Sequence, residues 1–464
     1  MKTADLRKKL DPVATAALKE FGVPGAGVGI RIDDENHAFG YGKTNIEFGL
    51  PVDGDTLFQI GSTSKTFAAT TLMRLVEEGK VSLEDKVSKF LPKFQVPDEE
   101  TTRDVTIRHL VTHTSGWMGD WGGPQRLRKR RKVERGDDAL RKRIAILKEV
   151  PQLAPLGTVW SYNNSGFSVL GHIIEKVAKK TFEQAVTDGV MEPLGMERSF
   201  YFPEQIMTQK FALGHVKDKE GNMRIVRPWA QGRATGPSGG VVSSAADQMI
   251  YAQFHLGQHP EGKKVLSPET VAFMQEPLAE AATMASHVGV SWLIDDIKGV
   301  KTVAHGGTMV GQTSAFLMVP ERGFAVTVLT NAGDEGKQVH RALTKWALKE
   351  VAGLERSKPE TQELPAESLD ELAGQYSYYS YGTIDISRGG EGLTLEWAPL
   401  PEVLKKNPEI VDQFPEPMSI RPIGGLKFIA DEGPLAGYTV DFVRRADGRI
   451  GWMRMGGRAQ TRLD

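Results

Sequence analysis

Ser62 and Lys65 are two residues whose types and spacing suit covalent catalysis. They lie where a short apolar run and a glycine turn lead into an amphipathic helical pattern, so their side chains are expected on one face at the start of a helix. A serine hydroxyl becomes a good nucleophile when a base takes its proton. Lys65 can be that base only if burial and neighbouring positive charge lower its pKa from about 10.4. Because Ser-x-x-Lys also arises by chance in a chain of 464 residues, the pair alone is a weak signal.

A second candidate cluster contains Tyr162 and Asn164, just before a helix predicted over residues 166–178. The two residues are two apart, so both side chains can point the same way in an extended turn. A phenol can relay a proton to a leaving group, and an amide can orient a substrate and bind a lysine. Taken alone, this cluster is more simply explained as a loop with an asparagine that caps the helix.

A third candidate cluster lies at the end of a predicted strand and contains His305, Gly306, Gly307 and Thr308. The glycines leave the backbone open to close approach by a ligand. His305 can supply a hydrogen-bond donor or a positive charge near Lys65.

Residues 236–240 match the Gly-x-Ser-x-Gly elbow of α/β-hydrolases, with Ser238 in the nucleophile position. That elbow needs a β-strand before it, and residues 227–233 show no strand pattern. We therefore predict that Ser238 lies on a loop bordering the Ser62 site and is not the nucleophile.

A basic run at residues 126–132 is the strongest local charge feature. Such a run usually marks a solvated loop. Nucleic-acid binding would require a patch with aromatic neighbours, and only Trp117 and Trp121 are close in sequence. Nucleic-acid binding through this run is therefore the weaker alternative.

Composition excludes several classes of function. There are 58 Lys and Arg against 59 Asp and Glu, a net charge of −1, so no overall field favours nucleic acid or an anionic membrane. The chain contains no cysteine, which excludes disulfides, thiolate metal sites and cysteine nucleophiles, and its ten histidines show no metal-binding spacing. No apolar segment has the length of a membrane span or a signal peptide. We expect a cytoplasmic protein with a small-molecule or peptide substrate, no cofactor, and no membrane or nucleic-acid partner.

The order of helical and strand patterns predicts an α+β domain. Residues 3–20 carry a helical apolar stripe, and a β-hairpin follows with its turn at 33–36. The segment from about 80 to 285 is mainly helices and long loops, whereas 288–331 contains four strand-like runs before a final helix. These patterns predict an antiparallel sheet that includes the early hairpin, with the terminal helices on one face and the helical insertion beside it.

The chain changes character after residue 354. Residues 355–367 are polar with two prolines, which predicts a linker between a domain at 1–354 and one at 368–464. The second domain contains alternating apolar and polar runs separated by glycine pairs. About eight short strands of this kind suit a small closed β-barrel.

Together, the order Ser-x-x-Lys, Tyr-x-Asn and His-x-Gly resembles the serine β-lactamase and penicillin-binding superfamily. The Tyr-x-Asn form points to its class C-like branch, which includes D-alanyl-D-alanine carboxypeptidases, D-aminopeptidases and esterases. The stretches 58–62, 107–116 and 156–158 agree with it, and the resemblance covers roughly residues 10–350. It implies a β-lactamase/transpeptidase-like fold, and the C-terminal part resembles the lipocalin-like barrel appended to some members as a scaffold or active-site cover.

The resemblance also implies roles for the candidate residues. Ser62 would form the acyl-enzyme, Lys65 and Tyr162 would share the acid–base work, and Asn164 would position the substrate. The backbone N–H groups of Ser62 and Thr308 would form the oxyanion hole.

His305 stands where β-lactamases carry a lysine that helps to hold the substrate carboxylate. The resemblance therefore implies a peptidase or esterase rather than a dedicated β-lactamase. His109 and His113 lie in the family-like stretch and are interpreted as structural.

The leading hypothesis is a serine hydrolase that cleaves an amide or ester, such as a D-amino-acid peptide, an ester or a β-lactam. The alternative is a penicillin-recognising sensor that is acylated but barely turns over.

Overall fold

The computed structural model describes residues 2–120, 134–229, 231–430 and 436–463. The basic run at 126–132 lies outside these ranges, so its interpretation as a solvated loop stays a prediction. Across the described ranges, none of the helices is long and apolar enough to cross a membrane.

Helices and strands alternate along most of the described chain. The helices are α1 (Thr3–Phe21), α2 (Ser64–Glu77), α3 (Val87–Phe90), α4 (Glu99–Asp104), α5 (Ile107–Val111), α6 (Ala139–Ala145), α7 (Asn164–Ala178), α8 (Phe182–Val186), α9 (Pro203–Ile206), α10 (Gly236–Gly239), α11 (Ala245–His255), α12 (Pro268–Met274), α13 (Asp334–Glu350), α14 (Ala366–Leu372) and α15 (Pro401–Lys406). The strands are β1 (Gly25–Ile32), β2 (Glu35–Gly42), β3 (Phe58–Gln59), β4 (Ser199–Phe200), β5 (His215–Lys217), β6 (Met223–Ile225), β7 (Val242–Ser243), β8 (Ala279–Glu280), β9 (His287–Val288), β10 (Leu293–Ile297), β11 (Val300–Met309), β12 (Gln312–Val319), β13 (Phe324–Thr330), β14 (Gly374–Tyr378), β15 (Gly382–Gly389), β16 (Gly392–Pro399), β17 (Met418–Gly424), β18 (Lys427–Ile429), β19 (Thr439–Arg444), β20 (Ile450–Met455) and β21 (Arg458–Thr461).

The first domain is built on an antiparallel sheet in the order β2-β1-β13-β12-β11-β10-β9-β8. The early hairpin turns at Asp33 and Asp34, which both have positive φ, as a tight hairpin turn requires. Strand β1 then pairs with β13 almost 300 residues later in the chain, as Val28 faces Val328. The predicted α+β class and the place of the early hairpin in the sheet are confirmed.

Both faces of this sheet are covered by helices. Strand β13 sends Val326 and Val328 to the side of α1 and α13, and Ala325 and Leu329 to the side of the helical insertion. Because each face meets a separate apolar core, β13 is buried along its whole length. This agrees with the predicted layers.

Some local elements differ from the sequence expectations. The first of the four strand-like runs predicted within 288–331 is interrupted by Ser291, whose φ of 71° breaks the extended backbone, so β10 begins at Leu293. The helical insertion also contains short strands, among them β4 and β7, and β7 pairs with both β4 and the earlier strand β3. Strands of two or three residues are too short to leave a period-two pattern.

The C-terminal domain is an antiparallel barrel in which strands β14 to β21 pair in chain order. A bridge between Tyr376 and Arg462 joins the first strand to the chain end after the last, which nearly closes the barrel. Its interior is filled with buried apolar side chains, including Ile384, Leu395 and Phe428. Helix α14 starts within the predicted linker, at Ala366.

The barrel packs on the first domain through its last strands. Trp452 Nε1 donates to the carbonyl of Leu153 at 2.8 Å, and Ala459 N donates to Ser161 Oγ at 3.1 Å. Tyr162 N donates to the carbonyl of Gly457 at 2.7 Å. The turn between β20 and β21 therefore lies directly on the segment that carries Tyr162.

Candidate active site

Ser62 lies in a 3-10 turn, Gly61–Thr63, immediately before α2. The helix predicted to contain it starts at Ser64, because Gly61 has a φ of 53° and interrupts the regular backbone. The turn still places the pair as expected from its spacing. Lys65 Nζ lies 3.2 Å from Ser62 Oγ.

Lys65 is fully buried and is held by three neighbours. Its Nζ lies 2.6 Å from Asn164 Oδ1 and 2.7 Å from the carbonyl oxygen of Ser238, in addition to its contact with Ser62. Burial lowers the pKa of Lys65 well below its ordinary value; Asp120 raises it and Arg458 lowers it. A neutral amine gives its two N–H bonds to the two carbonyl-type acceptors. Its lone pair then faces the Ser62 hydroxyl, which is the arrangement a general base needs.

Asn163 and Asn164 make different contacts at the start of α7. Asn163 caps the helix, since its Oδ1 accepts from Gly166 N at 2.8 Å. Asn164 is the first helical residue, two positions earlier than predicted. Its Nδ2 donates to Asp120 Oδ1 at 2.6 Å, which turns its oxygen towards Lys65. The predicted helix cap is therefore Asn163, while Asn164 makes the predicted contact with a lysine.

Tyr162 is buried beside this pair. Its ring centroid lies 4.8 Å from Lys65 Nζ. Burial raises the pKa of Tyr162 above its ordinary value, while a hydrogen bond with Ser62 and the charge of Arg458 act in the opposite direction. The phenol is protonated at neutral pH and can donate.

Strand β11 brings Gly307 and Thr308 against the Ser62 turn. A Cβ placed on Gly307 would lie 1.8 Å from the carbonyl oxygen of Ile60 and 2.7 Å from Ser62 N. A Cβ placed on Gly61 would lie 2.6 Å from Thr308 N. The two backbones can approach this closely only because both positions are glycine.

His305 is buried on β11 with its ring centroid 6.3 Å from that of Tyr162. Its Nδ1 lies 2.7 Å from the carbonyl oxygen of Gly306, so the proton is on Nδ1. Burial lowers the pKa of His305 to about 3. The imidazole is therefore neutral at neutral pH, and the prediction that it could supply a positive charge is wrong. Among the described residues, none hydrogen-bonds its Nε2.

His109 and His113 make the contacts of structural residues. His109 Nδ1 accepts from Thr106 N at 3.1 Å at the start of α5. His113 has a φ of 59°, and its Nδ1 accepts from Asn163 N at 3.0 Å. Its ring lies 4.4 Å from that of Tyr162, so it supports the segment before α7.

Ser238 borders the site through its backbone. Its carbonyl accepts from Lys65, whereas its hydroxyl donates to the carbonyl of Thr235 at 3.2 Å. The loop predicted here is the short helix α10. Within residues 226–229 and 231–235, no strand leads into it, as a nucleophile elbow would require.

Asp120 and Arg458 belong to the site and were missed from the sequence. Arg458 Nε and Nη2 donate to Asp120 Oδ2 at 3.1 and 2.9 Å. The two residues are 338 positions apart, and neither stands in a motif. Within the described ranges, no three histidine or carboxylate side chains gather as a metal site would require.

Comparisons with known proteins show the family to which this chain belongs. The family model described as Beta-lactamase matches residues 10–349. Penicillin-binding protein 4 of Amycolatopsis lactamdurans is 33% identical over 368 residues, which cover 77% of this chain and 94% of the relative.

Solved structures support the fold of both domains. The crystal structure of SurE aligns with a TM-score of 0.77 and 22% identity over 100% of each chain. A class C β-lactamase aligns with a TM-score of 0.62 and 20% identity over 74% of this chain and 97% of its own. With the family model matched over most of its length, this chain belongs to the Beta-lactamase family, whose members typically work through an acyl-enzyme on an active-site serine.

Proposed function

We propose that the protein is a serine hydrolase that cleaves an amide or ester of a small molecule or peptide through an acyl-enzyme on Ser62. The observation that carries the proposal is the environment of Lys65. The amine is buried, its pKa is lowered, and two fixed acceptors turn its lone pair towards Ser62 Oγ. Membership in a family of serine hydrolases supports the same chemistry.

Acylation begins when Ser62 Oγ attacks the substrate carbonyl carbon and its proton passes to Lys65. The carbonyl oxygen takes the negative charge, and the backbone N–H groups of Ser62 and Thr308 stabilise it. The bond to the leaving nitrogen or oxygen then breaks. The proton returns from Lys65 through the Tyr162 hydroxyl to the leaving group.

Deacylation repeats these steps with water. A water molecule attacks the acyl carbon and gives its proton to the same basic groups. The ester bond to Ser62 then breaks, and Ser62 Oγ recovers its proton, so the enzyme returns to its starting state.

The neutral state of His305 supports a peptidase or esterase over a dedicated β-lactamase. A lysine at this position could form an ion pair with a substrate carboxylate, but the neutral imidazole gives its one proton from Nδ1 to the carbonyl of Gly306, so its Nε2 can only accept a hydrogen bond. We therefore favour D-amino-acid amides, peptides and esters as substrates.

A second candidate function is a penicillin sensor that is acylated but barely turns over. It is favoured by the similarity to a protein named as a penicillin-binding protein. The two functions share the first chemical step and differ in the second.

A substrate panel tests the proposal. Wild type, Ser62→Ala and the control Ser168→Ala are compared on D-amino-acid amides, p-nitrophenyl esters and nitrocefin. Ser168 lies on α7, and its hydroxyl faces the carbonyl of Ala234. We expect multiple turnovers of an amide or ester by wild type and the control, and none by Ser62→Ala. A single stoichiometric burst by wild type would instead support the sensor.

A further inference from the structure

The turn between β20 and β21 is fitted tightly against the proposed catalytic segment. Gly456 and Gly457 both have positive φ, and a Cβ on Gly457 would lie 2.4 Å from Met284 Sδ. The carbonyl of Gly457 accepts from Tyr162 N at 2.7 Å. The barrel is therefore anchored to the backbone of a proposed active-site residue, and Arg458 follows directly.

Arg458 directs its side chain from the barrel into the site. Its guanidinium donates twice to Asp120 Oδ2, at 3.1 and 2.9 Å, and lies 4.7 Å from the centre of the Tyr162 ring. Arg458 Nη1 donates to the carbonyl of Gly456 at 2.9 Å, which holds the side chain against its own turn. The side chains of Arg458 and Asp120 are 26% and 15% exposed, so their charges interact through little water.

The other oxygen of Asp120 continues the contacts towards Ser62. Asp120 Oδ1 accepts from Asn164 Nδ2 at 2.6 Å, and Asn164 Oδ1 accepts from Lys65 Nζ at 2.6 Å. A carboxylate can only accept, so the orientation of each group is fixed by the one before it. Four side chains thus form one continuous path from the barrel to the proposed base.

The charges along this path also act on the pKa of Lys65, in opposite directions. Burial lowers the pKa of Lys65, Asp120 raises it, and Arg458 lowers it. The other titratable groups facing Lys65 are neutral at pH 7, because burial lowers the pKa of His113 and His305 and raises that of Tyr162. Removal of Arg458 takes a positive charge away from Lys65 and leaves the opposing charge of Asp120 in place.

We propose that Arg458 is a positioning residue through which the C-terminal barrel keeps Lys65 oriented and neutral, acting by way of Asp120 and Asn164. The proposal rests on the proposed acyl-enzyme at Ser62. It gives the barrel a role in the chemistry of the first domain beyond that of a scaffold.

The rate of covalent labelling of Ser62 by a fluorophosphonate, measured against pH, tests this role. In that reaction the bond from Ser62 Oγ to phosphorus forms, the phosphorus–fluorine bond breaks, and the serine proton passes to Lys65. The labelling rate falls about tenfold for each pH step of one below the pKa of the base. The profile therefore reports the protonation of Lys65 directly.

The variants are Arg458→Met, Asp120→Asn and the double variant. The acidic limb of the profile is the range in which the labelling rate falls because Lys65 becomes protonated. We expect Arg458→Met to move this limb to higher pH, because the loss of a positive charge raises the pKa of Lys65. If the limb moves by one on the pH scale, the rate below the pKa falls about tenfold. The double variant should return the limb towards its wild-type position, because Asp120→Asn removes the charge and leaves an amide oxygen that can still accept from Asn164.

Arg454→Met is the matched control. Arg454 lies on the same barrel, and its guanidinium binds Asp441 away from the site. It breaks an Arg–Asp pair that is even more buried, with side chains 12% and 5% exposed, and should leave the acidic limb in place. It therefore separates a change in Lys65 from a general weakening of the barrel.

If wild type is labelled on Ser62, two results would overturn the positioning role of Arg458 without affecting the proposed function. One is an unmoved acidic limb in Arg458→Met, including the case where only the KM of carboxylate-bearing substrates rises. The other is a double variant that behaves like Arg458→Met. Labelling of wild type at a residue other than Ser62 would instead overturn the proposed function.

Discussion

At the scale of single residues, the site depends on polar atoms that each have one permitted orientation. Asp120 accepts from Asn164, Asn164 accepts from Lys65, and Lys65 faces Ser62. Because the amine is buried and its pKa is lowered, a lysine can serve as a base near neutral pH. The burial of Lys65 is therefore as important to the account as its spacing from Ser62.

Gly307→Ala should abolish most activity while Gly306→Ala is tolerated. A Cβ on Gly307 meets the carbonyl oxygen of Ile60 at 1.8 Å, whereas one on Gly306 lies 3.3 Å from its nearest neighbour, Ser314 O. The first change pushes β11 away from Ser62 and misplaces Thr308 N. We expect a loss of about 100-fold in ester hydrolysis, the typical effect of losing one oxyanion donor. Equal activities of the two variants would contradict this view of β11.

At the scale of elements, the start of α7 contains one asparagine that stabilises the fold and one that contacts the proposed base. Asn163 bonds the backbone of Gly166, the Ser115 hydroxyl and the carbonyl of Trp117, and all of these groups are buried. Asn164 instead bonds Asp120 and Lys65. Neighbouring residues of one type thus serve the fold and the site separately.

Asn163→Ala and Asn164→Ala should separate these contributions. We expect Asn163→Ala to lower the free energy of unfolding by about 2 kcal/mol, because it removes a helix cap and leaves buried groups unpaired. Asn164→Ala should reduce turnover about 100-fold with a smaller loss of stability, since it removes an acceptor from the proposed base. Urea unfolding and ester hydrolysis measure the two effects. A reversed ranking would show that the roles are exchanged.

Contacts set by short spacing could be predicted from the sequence, whereas those set by folding over long distances could not. Ser62 and Lys65 are three residues apart, so local geometry was enough to predict their contact. Asp120 and Arg458 are brought together by the docking of a second domain, which no local pattern encodes. The positive φ of Ser291 likewise depends on its packed surroundings, since serine has no intrinsic preference for it.

At the scale of the whole molecule, the sheet domain and the barrel meet at the site. The sheet supplies β11, the helical insertion supplies α7, and the barrel supplies Arg458. The family model ends at residue 349 and does not include the barrel. The hydrogen bonds that lead to Lys65 through Asn164 and Asp120 therefore begin at Arg458, in a part of the chain outside the family match.

Acid should destabilise the fold through buried histidines. Burial lowers the pKa values of His255, His305 and His340 to about 3, from an ordinary value of about 6.5. Between these values the unfolded chain binds protons that the folded chain does not, so stability falls as the pH drops from 6.5 towards 3. The expected loss at pH 5 is about 2 kcal/mol for each histidine.

Asp247 acts in the opposite direction, because burial raises its pKa to about 6. As the pH falls, the folded chain binds a proton at Asp247 before the unfolded chain does. This raises the free energy of unfolding by about 1 kcal/mol at pH 5. Urea midpoints at pH 7 and pH 5 measure the net loss. His340→Gln, which can keep the bond to Thr313, should reduce the loss by about 2 kcal/mol. An unchanged pH dependence in that variant would contradict the assignment.

The most direct test of the central claim is the position of the covalent adduct. The protein is treated with a fluorophosphonate or a fluorescent penicillin, digested, and mapped by mass spectrometry. We expect one label per chain, on Ser62, and no label on Ser62→Ala. A label on Ser238, or one that survives Ser62→Ala, would contradict it.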